Sequence, residues 1–115
     1  MVYQLGSALL DAFVLAIVSK GDAYGYQISQ EIKTVVNLKE STLYPVLKRM
    51  QEAGYLEVYD RPFQGRNRRY YRITDSGQDK KRYYVKEWID FRMDVERILR
   101  GGESDEQTGI SADFE

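Results

Sequence analysis

The chain has 115 residues, with no cysteine and no histidine. That length accommodates one modest hydrophobic core, and the missing thiols and imidazoles exclude disulfides, zinc sites built on those ligands and any His- or Cys-based triad. The net charge of -1 averages two unlike parts: every Lys and Arg lies in residues 1–100, which carry about +4, while residues 101–115 hold Glu103, Asp105, Glu106, Asp113 and Glu115, about -5.

In chain order, residues 5–19 are almost continuously apolar and predict a first helix, stopped by Gly21. No basic residue precedes the run, Asp11 interrupts it, and it is too short to span a bilayer. It therefore reads as a core helix of a cytoplasmic protein with no membrane association, buried on most sides. Asp22 is placed to cap a second helix over 23–36, whose Ile28, Ile32 and Val35 fall at helical spacing. A third helix is expected over 40–53, closed by Gly54, with Leu43, Val46, Leu47 and Met50 on one face. Asn37 and Glu40 have the spacing of a capping box, and Pro45 removes one backbone bond inside the helix.

The period then changes to two. Leu56 and Val58 alternate with polar neighbours, as do Tyr71 and Ile73, and the intervening 61–68 suits a hairpin tip. Thr74 is the expected N-cap of a last helix, with Asp75 and Asp79 in its first turn and Gly101-Gly102 at its end. Such a helix is about 39 Å long at 1.5 Å per residue. Its Tyr84, Trp88, Phe91, Val95 and Ile98 follow a heptad seam, which calls for a partner helix, most simply a second copy. The acidic remainder is expected to be disordered.

Helix, helix, helix, hairpin, helix is the order of a winged helix-turn-helix, an α+β but mainly α fold. Residues 1–74 would form the DNA-binding domain, 75–100 the dimerisation helix and 101–115 the tail. The third helix can lie in a major groove about 12 Å wide. Its outward face offers Ser41, Thr42, Tyr44, Lys48 and Arg49, and the hairpin adds Arg66, Arg68 and Arg69 beside Gly65. Lys48 and Arg49 also suit an ordinary solvated face, and the tyrosines suit core and interface positions as well as base stacking.

Three segments, in order and spacing, resemble the PadR-type regulators. They are Tyr24-Gly25-Tyr26-Gln27-Ile28, Ser41-Thr42-Leu43-Tyr44-Pro45-Val46-Leu47 followed by Gly54-Tyr55-Leu56, and the run Gly65 to Gly77 containing Arg68-Arg69-Tyr70-Tyr71-Arg72-Ile73-Thr74. The resemblance covers about residues 5–100. It implies a homodimeric winged-helix repressor that binds a double-stranded DNA operator and releases it when a small aromatic effector binds. On that resemblance Ser41, Thr42, Tyr44 and Lys48 contact DNA from the third helix, and Gly65, Arg66, Arg68 and Arg69 from the wing. Tyr24 and Tyr26 lie near phosphates or pack beneath the third helix. The dimer would use Leu5, Leu9 and Phe13 of the first helix with Tyr84, Trp88, Phe91, Val95 and Ile98 of the last. The single C-terminal helix is similar to the compact, multidrug-sensing subgroup, which makes Trp88 a candidate effector contact, or else a filler of the seam. Lys39 departs from the small hydroxyl residue expected before the third helix.

Two other classes compete with this reading. A winged-helix protein-interaction module without DNA binding fits the acidic tail. An enzyme does not fit: the sequence has no phosphate loop, metal cluster, cofactor motif or activated nucleophile, and its carboxylates sit beside cations, as Asp90 does with Lys86 and Glu96 with Arg92.

Overall fold

A computed structural model of the chain describes residues 6–101. Its elements are helix α1 (Ser7–Ser19), strand β1 (Ala23–Tyr24), helix α2 (Gly25–Ile32), helix α3 (Glu40–Glu52), strands β2 (Leu56–Phe63) and β3 (Arg66–Ile73), and helix α4 (Asp75–Leu99). The strands form one antiparallel sheet in the order β1-β3-β2. This is a mainly helical winged helix-turn-helix with a long C-terminal helix. Leu5 and the tail beyond Gly101 lie outside the described residues.

The chain forms two compact units, one ending at Val85 and one beginning at Lys86. The first unit thus takes in the opening turns of α4. Polar and steric anchors explain this. Thr74 Oγ1 accepts from the Gly77 amide at 3.0 Å, capping α4, and donates to the Gly54 carbonyl at 2.6 Å. Gly77 lies so close to the neighbouring backbone that a Cβ there would sit 2.3 Å from the Tyr55 carbonyl oxygen.

The core is built where α1, α2, α3 and the sheet meet. Val14 and Leu15 of α1, Ile28 of α2 and Leu43 and Leu47 of α3 are all fully enclosed. Each such aliphatic side chain contributes about 2 kcal/mol of burial free energy. Leu56 and Tyr71 close the core from the sheet. Alternation puts Val58 and Ile73 on the same sheet face, half-buried against the core. Contrary to the expectation for α1, only one of its faces is fully buried; Ala12, Phe13, Ala16 and Ile17 are half-covered.

Local details differ from expectation at four places. Residues 23 and 24 pair with Tyr71 and Tyr70 as a strand, so α2 starts after Tyr24 and ends at Ile32. Asp22 therefore caps nothing and accepts from the Tyr59 hydroxyl at 2.7 Å. Because α2 stops early, the chain turns Val35 outward and buries Val36. No capping box forms at Asn37 and Glu40: the N-cap of α3 is Lys39, with no side-chain bond. Finally, the hairpin is paired through Phe63 and Arg66, leaving only Gln64 and Gly65 as the turn, with φ 51° and 78°. Two successive positive φ values are the pattern of a two-residue turn that follows strand twist, and glycine serves the second at little cost.

Helix α3 runs through Pro45 and ends as the sequence suggests. Gly54 takes φ 84°. Its amide donates to the Gln51 carbonyl and the Tyr55 amide to the Met50 carbonyl, a Schellman closure. The same Gly54-Tyr55 corner holds the start of α4, since the Thr74 amide donates to the Tyr55 carbonyl at 3.0 Å.

Candidate nucleic-acid interface

The outward side of α3 carries Ser41, Thr42, Tyr44 and Lys48, all exposed. Its apolar side is anchored in the core by Leu43, Leu47 and Met50. The hydroxyls, the phenol and the ammonium thus share one solvated surface fixed to a rigid base. Tyr44 lies over the first residue of α2: a Cβ on Gly25 would meet its ring and hydroxyl at 2.7 and 2.8 Å. Gly25 is buried and was missed as a contributor. Its position between two tyrosines in Tyr24-Gly25-Tyr26 was the available signal.

Tyr26 projects from α2 with 56% of its surface exposed, whereas Tyr24 is half-buried and turned toward the hairpin. The Tyr24 ring meets Tyr70 edge-on with centroids 5.6 Å apart, and Tyr70 stacks on Tyr59 at 5.5 Å. Arginines lie against these rings. The Arg68 guanidinium is 4.0 Å from the Tyr24 ring centre and 3.4 Å from that of Phe63. Arg61 lies 4.7 Å from Tyr70, and Arg72 5.0 Å from Tyr59. Strand alternation explains the clustering. Arg66, Arg68, Tyr70 and Arg72 share one face of β3, and their partners Phe63, Arg61, Tyr59 and Glu57 share that face of β2. Sequence reading by loop position did not single out Arg61 or Phe63.

The three wing arginines singled out from sequence are thereby separated. Arg66, at the turn, has no ion-pair partner among the described residues. Arg68 is held on aromatic rings. Arg69 points to the opposite face, 3.8 Å from Asp60, and its charge partly opposes the upward shift that burial gives the Tyr71 hydroxyl.

Arg49 is also set apart. Its two terminal nitrogens donate to the two carboxylate oxygens of Asp11, at 3.1 and 2.7 Å. Asp11 is only 6% exposed, on α1, and its Oδ2 also accepts from the Tyr84 hydroxyl of α4 at 3.3 Å. Those hydrogen bonds to Asp11 hold the Arg49 guanidinium above its usual pKa. Burial, then the neighbouring Asp11 charge, raises the Tyr84 phenol. One carboxylate ties α1, the last turn of α3 and α4 together.

Among the expected interface and effector residues, Leu9 is half-buried, and Phe13 and Tyr84 pack partly against the core. In the unit beginning at Lys86, Trp88, Phe91 and Ile98 are exposed, at 45%, 62% and 70%. Trp88 and Phe91 lie with ring centroids 6.4 Å apart, while Val95 is half-buried. The expected pairs form along the same helix: Lys86 with Asp90 at 2.8 Å, which raises the Lys86 pKa, and Arg92 with Glu96 at 3.8 Å. Among the described residues no helix is long and apolar enough to cross a membrane, and no three His, Cys, Asp or Glu side chains gather into a potential metal site.

The sequence pattern of the transcriptional regulator PadR-like family matches residues 14–82. A Streptococcus mutans protein of solved structure is 48% identical, with a TM-score of 0.84 over 90% of this chain and 97% of its own. A PadR family transcription regulator from Clostridium difficile is 30% identical, with a TM-score of 0.73 over 78% of this chain and 97% of that one. PadR of Bacillus subtilis, solved in complex with operator DNA, is similar in fold, with a TM-score of 0.61 at 24% identity; the match covers 67% of this chain and 46% of that one. With its matched segment reaching from α1 into α4, the chain belongs to the PadR-like family of transcriptional regulators.

Proposed function

We propose that this regulator is a homodimeric repressor that binds a double-stranded DNA operator and is released by a small hydrophobic or aromatic effector. One observation carries the DNA-binding part: Lys48 on α3 and Arg66 at the hairpin turn are exposed cations with no ion-pair partner among the described residues. Charges that no carboxylate neutralises are available to displace counterions from phosphates. Ser41, Thr42 and Tyr44 on the outer side of α3 supply groups for base edges. Tyr26 is placed for a phosphate, and Gly65 lets the wing backbone approach closely. Arg69, already near Asp60, contributes less than Arg66, and Arg49 is engaged by Asp11. The operator complex of the Bacillus subtilis relative supports the same use of this fold.

The dimer and the effector rest on the unit beginning at Lys86. Trp88, Ile89, Phe91, Met93, Ile98 and Leu99 are all exposed there. So much exposed apolar surface on one helix favours a partner copy over solvent, and Trp88 is the group best suited to stack on a flat ligand.

The test is a mobility-shift titration on the duplex upstream of the protein's own gene, against excess competitor, with unbiased selection of duplexes in parallel. The expected result is a selective, salt-dependent shift by a dimer. Loss of both Lys48 and Arg66, two cations from each of the two subunits, should weaken it on all sequences and lower the log–log salt slope by about four. Selection that enriches no duplex would overturn the reading. Planar aromatic compounds that release the operator should quench Trp88 fluorescence; release without quenching would remove Trp88 from the effector site.

A further inference from the structure

Resting on the DNA-binding reading above, we infer that Arg68 is the specificity-determining residue of the wing, with Tyr24 and Phe63 as its positioning residues. The cations of this unit fall into two physical kinds. Lys48 and Arg66 are exposed and carry no internal contact that fixes them. Arg68 is half-buried, lies against the Phe63 and Tyr24 rings at 3.4 and 4.0 Å, and donates from Nη1 to the Tyr70 hydroxyl at 3.4 Å.

The difference has consequences for recognition. A mobile cation follows the phosphate potential of any duplex and loses side-chain freedom when it binds. A guanidinium stacked on rings has lost that freedom in folding, and its planar fork is offered in one direction. Such a group rewards only a site whose edges or groove shape match that direction. Tyr24 also pairs with Tyr70 across the β1–β3 register, and the next residue, Gly25, packs against Tyr44 of α3. The support that holds Arg68 is therefore continuous with the corner that seats the outer side of α3. A wing arginine fixed to that corner keeps a set distance from the helix, which is what a two-point reading of one duplex requires.

The experiment measures affinity of the full-length protein for its selected duplex and for a random duplex, across a salt series. The variants are Arg68→Lys, Tyr24→Leu, Tyr24→Phe and the double Tyr24→Leu with Arg68→Lys. Arg68→Lys keeps the charge but not the planar fork. It should lower the ratio of selected to random affinity about tenfold, with an unchanged salt slope. Tyr24→Leu should lower the same ratio while random-duplex affinity holds, Tyr24→Phe should restore most of it, and the double variant should lose no more than either single. Simple misfolding would lower random-duplex affinity and the slope together. Three outcomes would overturn the inference: an Arg68→Lys protein with the wild-type ratio, multiplicative losses in the double variant, or a Tyr24→Phe protein as impaired as Tyr24→Leu. The last would assign Tyr24 a hydroxyl contact with DNA instead. If the wild type selects no duplex, the DNA-binding reading itself falls, and this inference with it.

Discussion

Helix α3 has two charged sides that differ in kind, and adjacent residues show it. Arg49 is half-exposed but leans onto α1, its fork closed on a carboxylate that is 6% exposed. Lys48, about 100° away around the helix, has no ion-pair partner among the described residues. The same division separates two glycines. Gly77 abuts the Tyr55 backbone behind the end of α3, while Gly25 abuts the Tyr44 side chain at its outer surface. Residue type does not decide between structural and recognition roles here. What decides is whether the group facing the residue belongs to the fold or is left for a partner.

The glycines break that comparison open most forcefully. Gly77→Ala would press a methyl group 2.3 Å from the Tyr55 carbonyl oxygen and 2.7 Å from Ile73 Cγ1. Neither the backbone nor the packed side chain can retreat cheaply, so the cost should be about 3 kcal/mol. That lowers the melting temperature by roughly 10–20 °C. Gly25→Ala meets only the far end of the Tyr44 ring, which can swing away. It should cost much less stability and fall instead on operator affinity, since the displaced ring belongs to the outer surface. Thermal unfolding and the mobility-shift titration, run on both variants, check the contrast; equal thermal losses would dissolve it.

The charge pair is the next largest contrast. Arg49→Met strands the Asp11 carboxylate, and because Arg49 is itself half-exposed the loss should be about 2 kcal/mol, below the range for a fully buried pair. Replacing both residues, Asp11→Leu with Arg49→Met, should recover most of it, because an apolar pair needs no desolvated charge. Lys48→Met should leave the melting temperature within a degree or two and reduce the salt slope of DNA binding by about two, one cation being lost from each subunit of the dimer. A Lys48→Met protein that melts as early as Arg49→Met would show that both sides of α3 are structural.

Much of this was legible from sequence because each level of the pattern agreed. The period of α3, its Gly54 stop, the alternation of β2 and β3 and the Thr74 cap all rest on local chemistry, and each appears where that chemistry puts it. The element order followed. The site was only partly legible. Ser41, Thr42, Tyr44 and Lys48 fall on one exposed side by helical geometry alone. Arg49 could not be told from Lys48, because its partner lies 38 positions away on another helix. A signal did exist: an aspartate inside the otherwise apolar α1 has to find a cation or accept a high burial cost. The wing was grouped by nearness to the turn, whereas strand parity sorts Arg68 with Arg61 and Arg72 and puts Arg69 on the other face. Asp22 and Val35 depart from expectation at opposite ends of α2: a two-residue strand has no period to recognise and shifts its start past Asp22, and its end at Ile32 leaves Val35 outside the helix.

The smallest expected effect concerns pH and isolates the third member of the inner cluster. Tyr84 donates its hydroxyl to Asp11, and burial followed by that carboxylate's charge raises its pKa above the ordinary phenol value. A group whose folded pKa is raised adds stability that is fully present below its unfolded pKa, near 10, and lost as pH climbs through the folded value. Ionised, the phenolate would stand beside Asp11 with one proton too few for the hydrogen bond. Stability should therefore be flat with respect to this group at neutral pH and fall from about pH 10 upward. Tyr84→Phe should cost about 1 kcal/mol or less at pH 7, and it should flatten the alkaline limb of a melting-temperature profile. Tyr71, raised chiefly by burial, supplies a remaining slope. An unchanged alkaline limb in Tyr84→Phe would mean that the phenol packs beside the Asp11–Arg49 pair without sharing its charge, and the inner side of α3 would then be held by two residues, not three.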